Sequence, residues 1–172
     1  MEEKHKYTNV AGKEIEVKVE EEEANDAIMQ YVELNTIERT YPLLKVGEST
    51  IEIILAKPTS LMIRMIERTI SEKAKEQDIS NQEAMQIRNT AYVAVHLKQY
   101  GDNDFKETPI EKGTHKVVVE KTKEAVAFDY IMKKYYFIEE LVPNMRTALI
   151  DRVQHFATYC EVIFSINSLE NF

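Results

Sequence analysis

Cys160 and His155 are a nucleophile and a base placed in one helical stretch, the residue types that covalent catalysis uses. Such chemistry needs the base within hydrogen-bonding reach of the thiol. Five residues along a helix turn the two side chains about 140° apart, so Cys160 reads as a buried structural thiol. The four histidines, His5, His96, His115 and His155, are scattered. None has a second His or Cys at the three- or four-residue spacing that sets two zinc ligands on one helix face. His96, one turn before Tyr100, reads as a hydrogen-bonded histidine. Asp102 and Asp104 begin like a calcium loop, but Lys106 brings a cation where a ligand is needed and the glycine of the sharp turn is missing. Glu139-Glu140 follow Tyr135-Tyr136-Phe137. A glycosidase-like pair needs two acids facing across a pocket, and the expectation here is core packing by Tyr136, Phe137 and Leu141 with the acids in water. No G-x-G-x-x-G, G-x-x-x-x-G-K-[ST], H-E-x-x-H or C-x-x-C occurs. The expectation is therefore a non-enzyme with no catalytic, cofactor-binding or metal-binding residue.

Charge carries more information. The 172 residues hold 22 Lys and Arg against 30 Asp and Glu, a net charge of -8, which disfavours nucleic acid as a partner because phosphates need positive faces. Residues 1–40 contain eleven acids and five bases, so most of the excess lies there. Glu20, Glu21, Glu22 and Glu23 suit the start of a helix, whose dipole favours negative charge, and they also suit a basic protein surface. These four, with Asp102 and Asp104 in the longest loop, Gly101 to Gly113, are the candidate partner-binding residues. A single cysteine forms no internal disulfide, which fits a cytoplasmic setting. The first residues lack the apolar run of a secretory signal, and no stretch approaches the roughly eighteen apolar residues that span a bilayer, so no membrane is expected.

Alternating residues from Lys4 to Val10 and from Lys13 to Glu20, around Ala11-Gly12, predict a hairpin. Tyr41 to Val46 and Thr50 to Ala56, around Gly47-Glu48-Ser49, predict a second. Between them, the helical spacing of Ala24, Ile28, Tyr31 and Val32 predicts a helix over Glu22 to Asn35. Four further helices are expected: Leu61 to Glu76 after a Thr59 or Ser60 cap, Ser80 to Tyr100 opened by a Ser80/Glu83 capping box, Lys121 to Leu141, and Asn144 to Ile166 after the break at Pro143. Val117-Val118-Val119 is a short β-branched run. The fold class read from this pattern is α+β, with N-terminal β-hairpins and a connecting helix followed by a mainly helical domain of about four helices. The expected boundary gives a small lobe at 1–56 and a helical domain at 57–172, either with separate cores or sharing one; the helices are expected to hold the main core and leave the lobe free to bind.

The segment Tyr41-Pro42-Leu43-Leu44-Lys45-Val46-Gly47-Glu48-Ser49-Thr50-Ile51-Glu52-Ile53, with Leu55-Ala56-Lys57-Pro58-Thr59 after it, resembles small tail-assembly proteins of tailed bacteriophages. Phe137 to Pro143, then Leu149, Val153 and Phe156, is similar to the helical end of tail chaperones and baseplate-hub assembly proteins. The resemblance implies a structural or assembly protein of a phage-like tail or baseplate. It would bind another tail component in the host cytoplasm or within the virion, and it transfers no catalytic position. The other class of function open to this sequence is an acidic inhibitor that presents carboxylates to a basic nucleic-acid-binding protein.

Overall fold

Alternation of Ile15, Val17 and Val19 with Glu14, Glu16 and Lys18 asks for one face turned inward, and a hairpin provides it. In it β1 (Glu3–Thr8) pairs antiparallel with β2 (Glu14–Val19), setting Tyr7 opposite Ile15 and His5 opposite Val17. The computed structural model describes residues 3–76, 79–105 and 123–169. Helix α1 (Glu21–Leu34) ends at Asn35, whose φ of 54° is left-handed and whose backbone N–H donates to the Tyr31 carbonyl. The second hairpin joins β3 (Glu38–Val46) to β4 (Ser49–Ala56) through Gly47, at φ 62°. Its register shifts between Pro42 and Leu44, where proline has no amide to give the ladder.

Helix α2 (Ser60–Glu76) starts where the Thr59 hydroxyl accepts the Met62 amide at 3.3 Å. Helix α3 (Asn81–His96) is opened by the expected capping box, Ser80 and Glu83 each holding the other's backbone amide. A short hairpin follows, β5 (Leu97–Tyr100) against β6 (Asn103–Asp104). The last helices are α4 (Lys123–Glu140) and α5 (Pro143–Leu169), with Pro143 in the first turn, where its missing amide costs nothing. The class is α+β. Among the described residues, no helix is long and apolar enough to cross a membrane.

The chain divides into two compact units, one of Met1–Lys57 with Val142–Phe172 and one of Pro58–Leu141. In the first, α5 packs against α1, β1, β2 and β3. Leu149, Val153 and Phe156 are fully buried there, as are Val19, Ile53 and Leu55. Polar contacts add to the packing: Arg152 Nε donates to the Pro42 carbonyl at 3.1 Å, and the Val10 amide donates to Asp151 at 3.1 Å. In the second unit α2, α3 and α4 pack on one another around Met65, Ala91, Ile131, Tyr135 and Ile138.

Several expectations change. The division does not follow 1–56 and 57–172, because the apolar stripe of α5 is the inner wall of the N-terminal unit and not part of a separate helical core. Helix α3 stops at His96 instead of Tyr100. Gly101, at φ 54°, makes the tight turn that lets Leu97–Tyr100 pair as a strand. Asp102 and Asp104 therefore lie in a hairpin and not in a long loop. The rest of that expected loop, His115 and the Val117-Val118-Val119 run lie outside the described residues. Tyr135, 1% exposed, takes the core place expected of Tyr136, which is 47% exposed.

Leu149→Ala and Phe156→Ala should each cost about 2 to 5 kcal/mol through lost burial and the cavity left behind. The check is urea unfolding of each variant beside the parent. A midpoint like the parent's in either variant would contradict the placement of α5 in the core.

Candidate functional site

Acidic side chains converge at the N-terminal end of α1. Glu20 is the N-cap, and its side chain makes no capping bond. A helix advances about 100° per residue, so Glu22, Glu23 and Asp26 share one side of α1 and Glu21 points elsewhere. On that side lies a groove of about 550 Å³, lined by Glu20, Glu22, Glu23, Asp26, Ala27, Gln30, Ile37, Glu38 and Tyr159. Five carboxylates thus surround a floor to which Ala27, Ile37 and the Tyr159 ring give an apolar character. The Glu38 amide donates to Gln30 Oε1 at 3.3 Å, fixing the start of β3 beside the helix.

Arg39 closes one flank. Its Nη1 sits 2.9 Å from Glu23 Oε1, and its guanidinium carbon is 4.1 Å from the centre of the Tyr159 ring. Burial, then the nearby Glu23 carboxylate, pushes the Tyr159 phenol up to about 12. The tyrosine is therefore a neutral hydrogen-bond donor at physiological pH. Glu23 is engaged by Arg39 and Tyr159, while Glu22 and Asp26 stand exposed in solvent. Such an arrangement attracts cations and offers a flat apolar surface for their aliphatic stems.

Of the partner-binding residues expected from sequence, Glu20, Glu22 and Glu23 come together in this groove, whereas Glu21 is not part of its lining. Asp102 and Asp104 belong to the second unit. Asp26, Glu38 and Tyr159 were not expected. Asp26 is legible in sequence, four residues after Glu22 on the same helix face. Tyr159 comes from α5, and no local pattern connects it to α1.

The residues weighed for chemistry are otherwise engaged. The Cys160 thiol is pushed up to about 12, chiefly by burial, and His155 Nδ1 lies 3.2 Å from the Tyr41 hydroxyl. Burial, with the charges of Arg39 and Arg152, lowers the His155 pKa. Glu139 accepts a hydrogen bond from the Tyr135 hydroxyl at 3.0 Å and faces Lys73 at 3.7 Å. Among the described residues no group of three or more His, Cys, Asp or Glu is placed to hold a metal ion.

In the second unit, His96 Nδ1 donates to the Tyr92 carbonyl at 2.8 Å at the end of α3. Lys134, 1% exposed, donates to the Leu97 carbonyl at 2.8 Å and lies 4.0 Å from the centre of the Tyr130 ring. This buried lysine carries no signal in the sequence, where it reads as half of an ordinary Lys133-Lys134 pair.

No protein-family model matches the chain, and no curated protein or solved structure is significantly similar to it.

His96 sets a testable pH dependence. Burial, with the Lys134 charge adding to it, pushes the imidazole down to about 4 against the opposing Tyr92 hydrogen bond. The unfolded chain takes up this proton as pH falls through about 6.5, and the folded chain does so only near 4. Across that window the unfolded state binds more protons, so stability is lost as pH falls, by about 3 kcal/mol at most. His96→Asn retains an N–H for the Tyr92 carbonyl and should flatten this part of the curve. Urea midpoints of parent and variant from neutral pH down to pH 4 test it, and parallel curves would contradict the assignment.

Proposed function

We propose that the chain is a non-enzymatic binding protein whose N-terminal unit holds a basic segment of a protein partner. The observation that carries this reading is the convergence of Glu20, Glu22, Glu23, Asp26 and Glu38 around a groove of about 550 Å³ with Ile37 and Tyr159 in its lining. Carboxylates spread over a convex surface contribute little to affinity, because water and salt screen them. Set around a concave floor they act together on one cation, and the low-dielectric wall strengthens each attraction.

The resemblance of Tyr41 to Thr59 and of Phe137 to Phe156 to tail-assembly proteins supports a partner among the components of a phage-like tail or baseplate. The protein then works in the host cytoplasm and is carried into the virion if that partner keeps it. A second reading draws on the same carboxylates: they mimic a run of phosphates, and the partner is a basic nucleic-acid-binding protein that the chain inhibits. The two part on competition. Nucleic acid displaces the chain from the second kind of partner and leaves the first untouched.

Oligolysine is the simplest probe of the groove. Its affinity for the parent should fall steeply as salt rises from roughly 50 to 500 mM, and Glu22→Gln with Asp26→Asn should weaken it about tenfold at the low end. Calorimetry or fluorescence anisotropy reads both effects. Equal binding at low and high salt would remove the electrostatic basis of the proposal.

A further inference from the structure

Helix α1 has two unlike sides. Ala24 and Ala27 are buried, Ile28 and Tyr31 are half-buried, and the helix packs on α5 along that side. Tyr31 meets Phe164 edge-on at 5.3 Å there, with Lys57 Nζ 5.1 Å from each ring centre. Away from that packing Met29 is 57% exposed and Val32 71%, Met29 opposite the packed side and Val32 at its edge. Three residues apart, these two lie one above the other on the same strip of the helix. The neighbouring strip carries Glu22, Asp26 and Glu33, all exposed, and its Glu22 and Asp26 also line the acidic groove. The fourteen residues of α1 include five acids and no base.

We infer that the basic segment is an amphipathic helix lying along α1, its apolar residues on Met29 and Val32 and its lysines or arginines along Glu22, Asp26 and Glu33 and over the groove. The inference rests on the reading of the groove as a site for a basic segment and adds the segment's conformation and pattern. Charge selects the occupant. A second copy of this chain would bring Glu22, Asp26 and Glu33 against the same three acids, at a net charge of -8 for each chain, and an anionic membrane surface would be repelled in the same way. Conformation follows from what α1 offers. The interior of a helix has no free backbone donors or acceptors, so an extended segment laid on it would gain no ladder of hydrogen bonds. A helix brings its own bonded backbone and needs only side-chain contact. The exposed length, about 20 Å, matches about four turns of a partner helix with apolar anchors at every third or fourth position.

Three probes test this against the intact chain: a lysine-leucine peptide with its leucines on one helical face, a permuted peptide of the same composition with no such face, and oligolysine of equal charge. The lysine-leucine helix should bind at least about tenfold tighter than the other two. Met29→Ser with Val32→Ser, both exposed sites, should abolish that advantage while leaving the melting temperature and the oligolysine affinity as in the parent. Ile63→Ser, an exposed apolar position of α2, should change nothing. Equal affinity for all three probes, or an advantage that survives the double variant, would overturn the helix and leave the acidic groove standing. A dimer that the double variant dissociates would assign this face to a second copy and overturn it as well. If oligolysine itself fails to bind, the groove reading falls and the inference falls with it.

Discussion

Burial of one helical stripe, Leu149, Val153, Phe156, Tyr159, Cys160 and Ile163, supplies the inner wall of the N-terminal unit. Two-stranded hairpins are marginal in water because each has an apolar face and nothing of its own to cover it. The chain closes that gap with residues that arrive more than eighty positions later. Tyr41 of β3 meets Phe156 and His155 edge-on, with ring centres 6.3 and 5.5 Å apart, and Tyr7 of β1 meets the same histidine at 6.4 Å. One helix thereby fixes both hairpins and α1, and a loss of packing along it reaches every element of the unit.

The acidic groove depends on the same helix. Tyr159, on the turn after Phe156, supplies a wall to the groove and a stacking surface for Arg39, and Arg39 in turn holds Glu23. Like-charged carboxylates crowded at one place repel one another, and two features of the fold offset this. The N-terminal dipole of α1 favours negative charge in its first turn, and the Arg39 guanidinium at the flank pairs with the half-buried Glu23. Glu22 and Asp26 keep their charge turned to solvent, so the site retains a net attraction for cations while the fold tolerates it.

How much of this can be read in sequence follows from the range of each interaction. The hairpins, α1 and the capping box at Ser80 and Glu83 rest on alternation, helical spacing and contacts within four residues, and all stand at or near the expected positions. The end of α3 falls at His96 and not at the expected Tyr100: no proline or glycine marks a stop before Gly101, and the tight turn at Gly101 pairs Gln99 and Tyr100 with the next strand, a contact outside the helical pattern. Tyr135 and Tyr136 differ by a single step around α4, and which one turns inward depends on its neighbours in the packed unit. The acids of the groove are half legible: Glu20, Glu22, Glu23 and Asp26 share a local helical pattern, whereas Tyr159 and Glu38 reach them only through the tertiary fold. The place of α5 is the largest gap. Its apolar stripe is plain in the sequence, but no feature of a stripe says which partner will cover it.

Native-state amide hydrogen exchange tests the central role of α5 most directly. With exchange followed residue by residue as denaturant is raised below the unfolding midpoint, the amides of Val153 and Phe156 should open with those of Val17, Ile53 and Ala27, at one free energy and one denaturant slope. Persistent protection of the α5 amides after the strands of the N-terminal unit have opened would contradict the account, since the helix would then draw its stability from somewhere other than the hairpins it is held to organise.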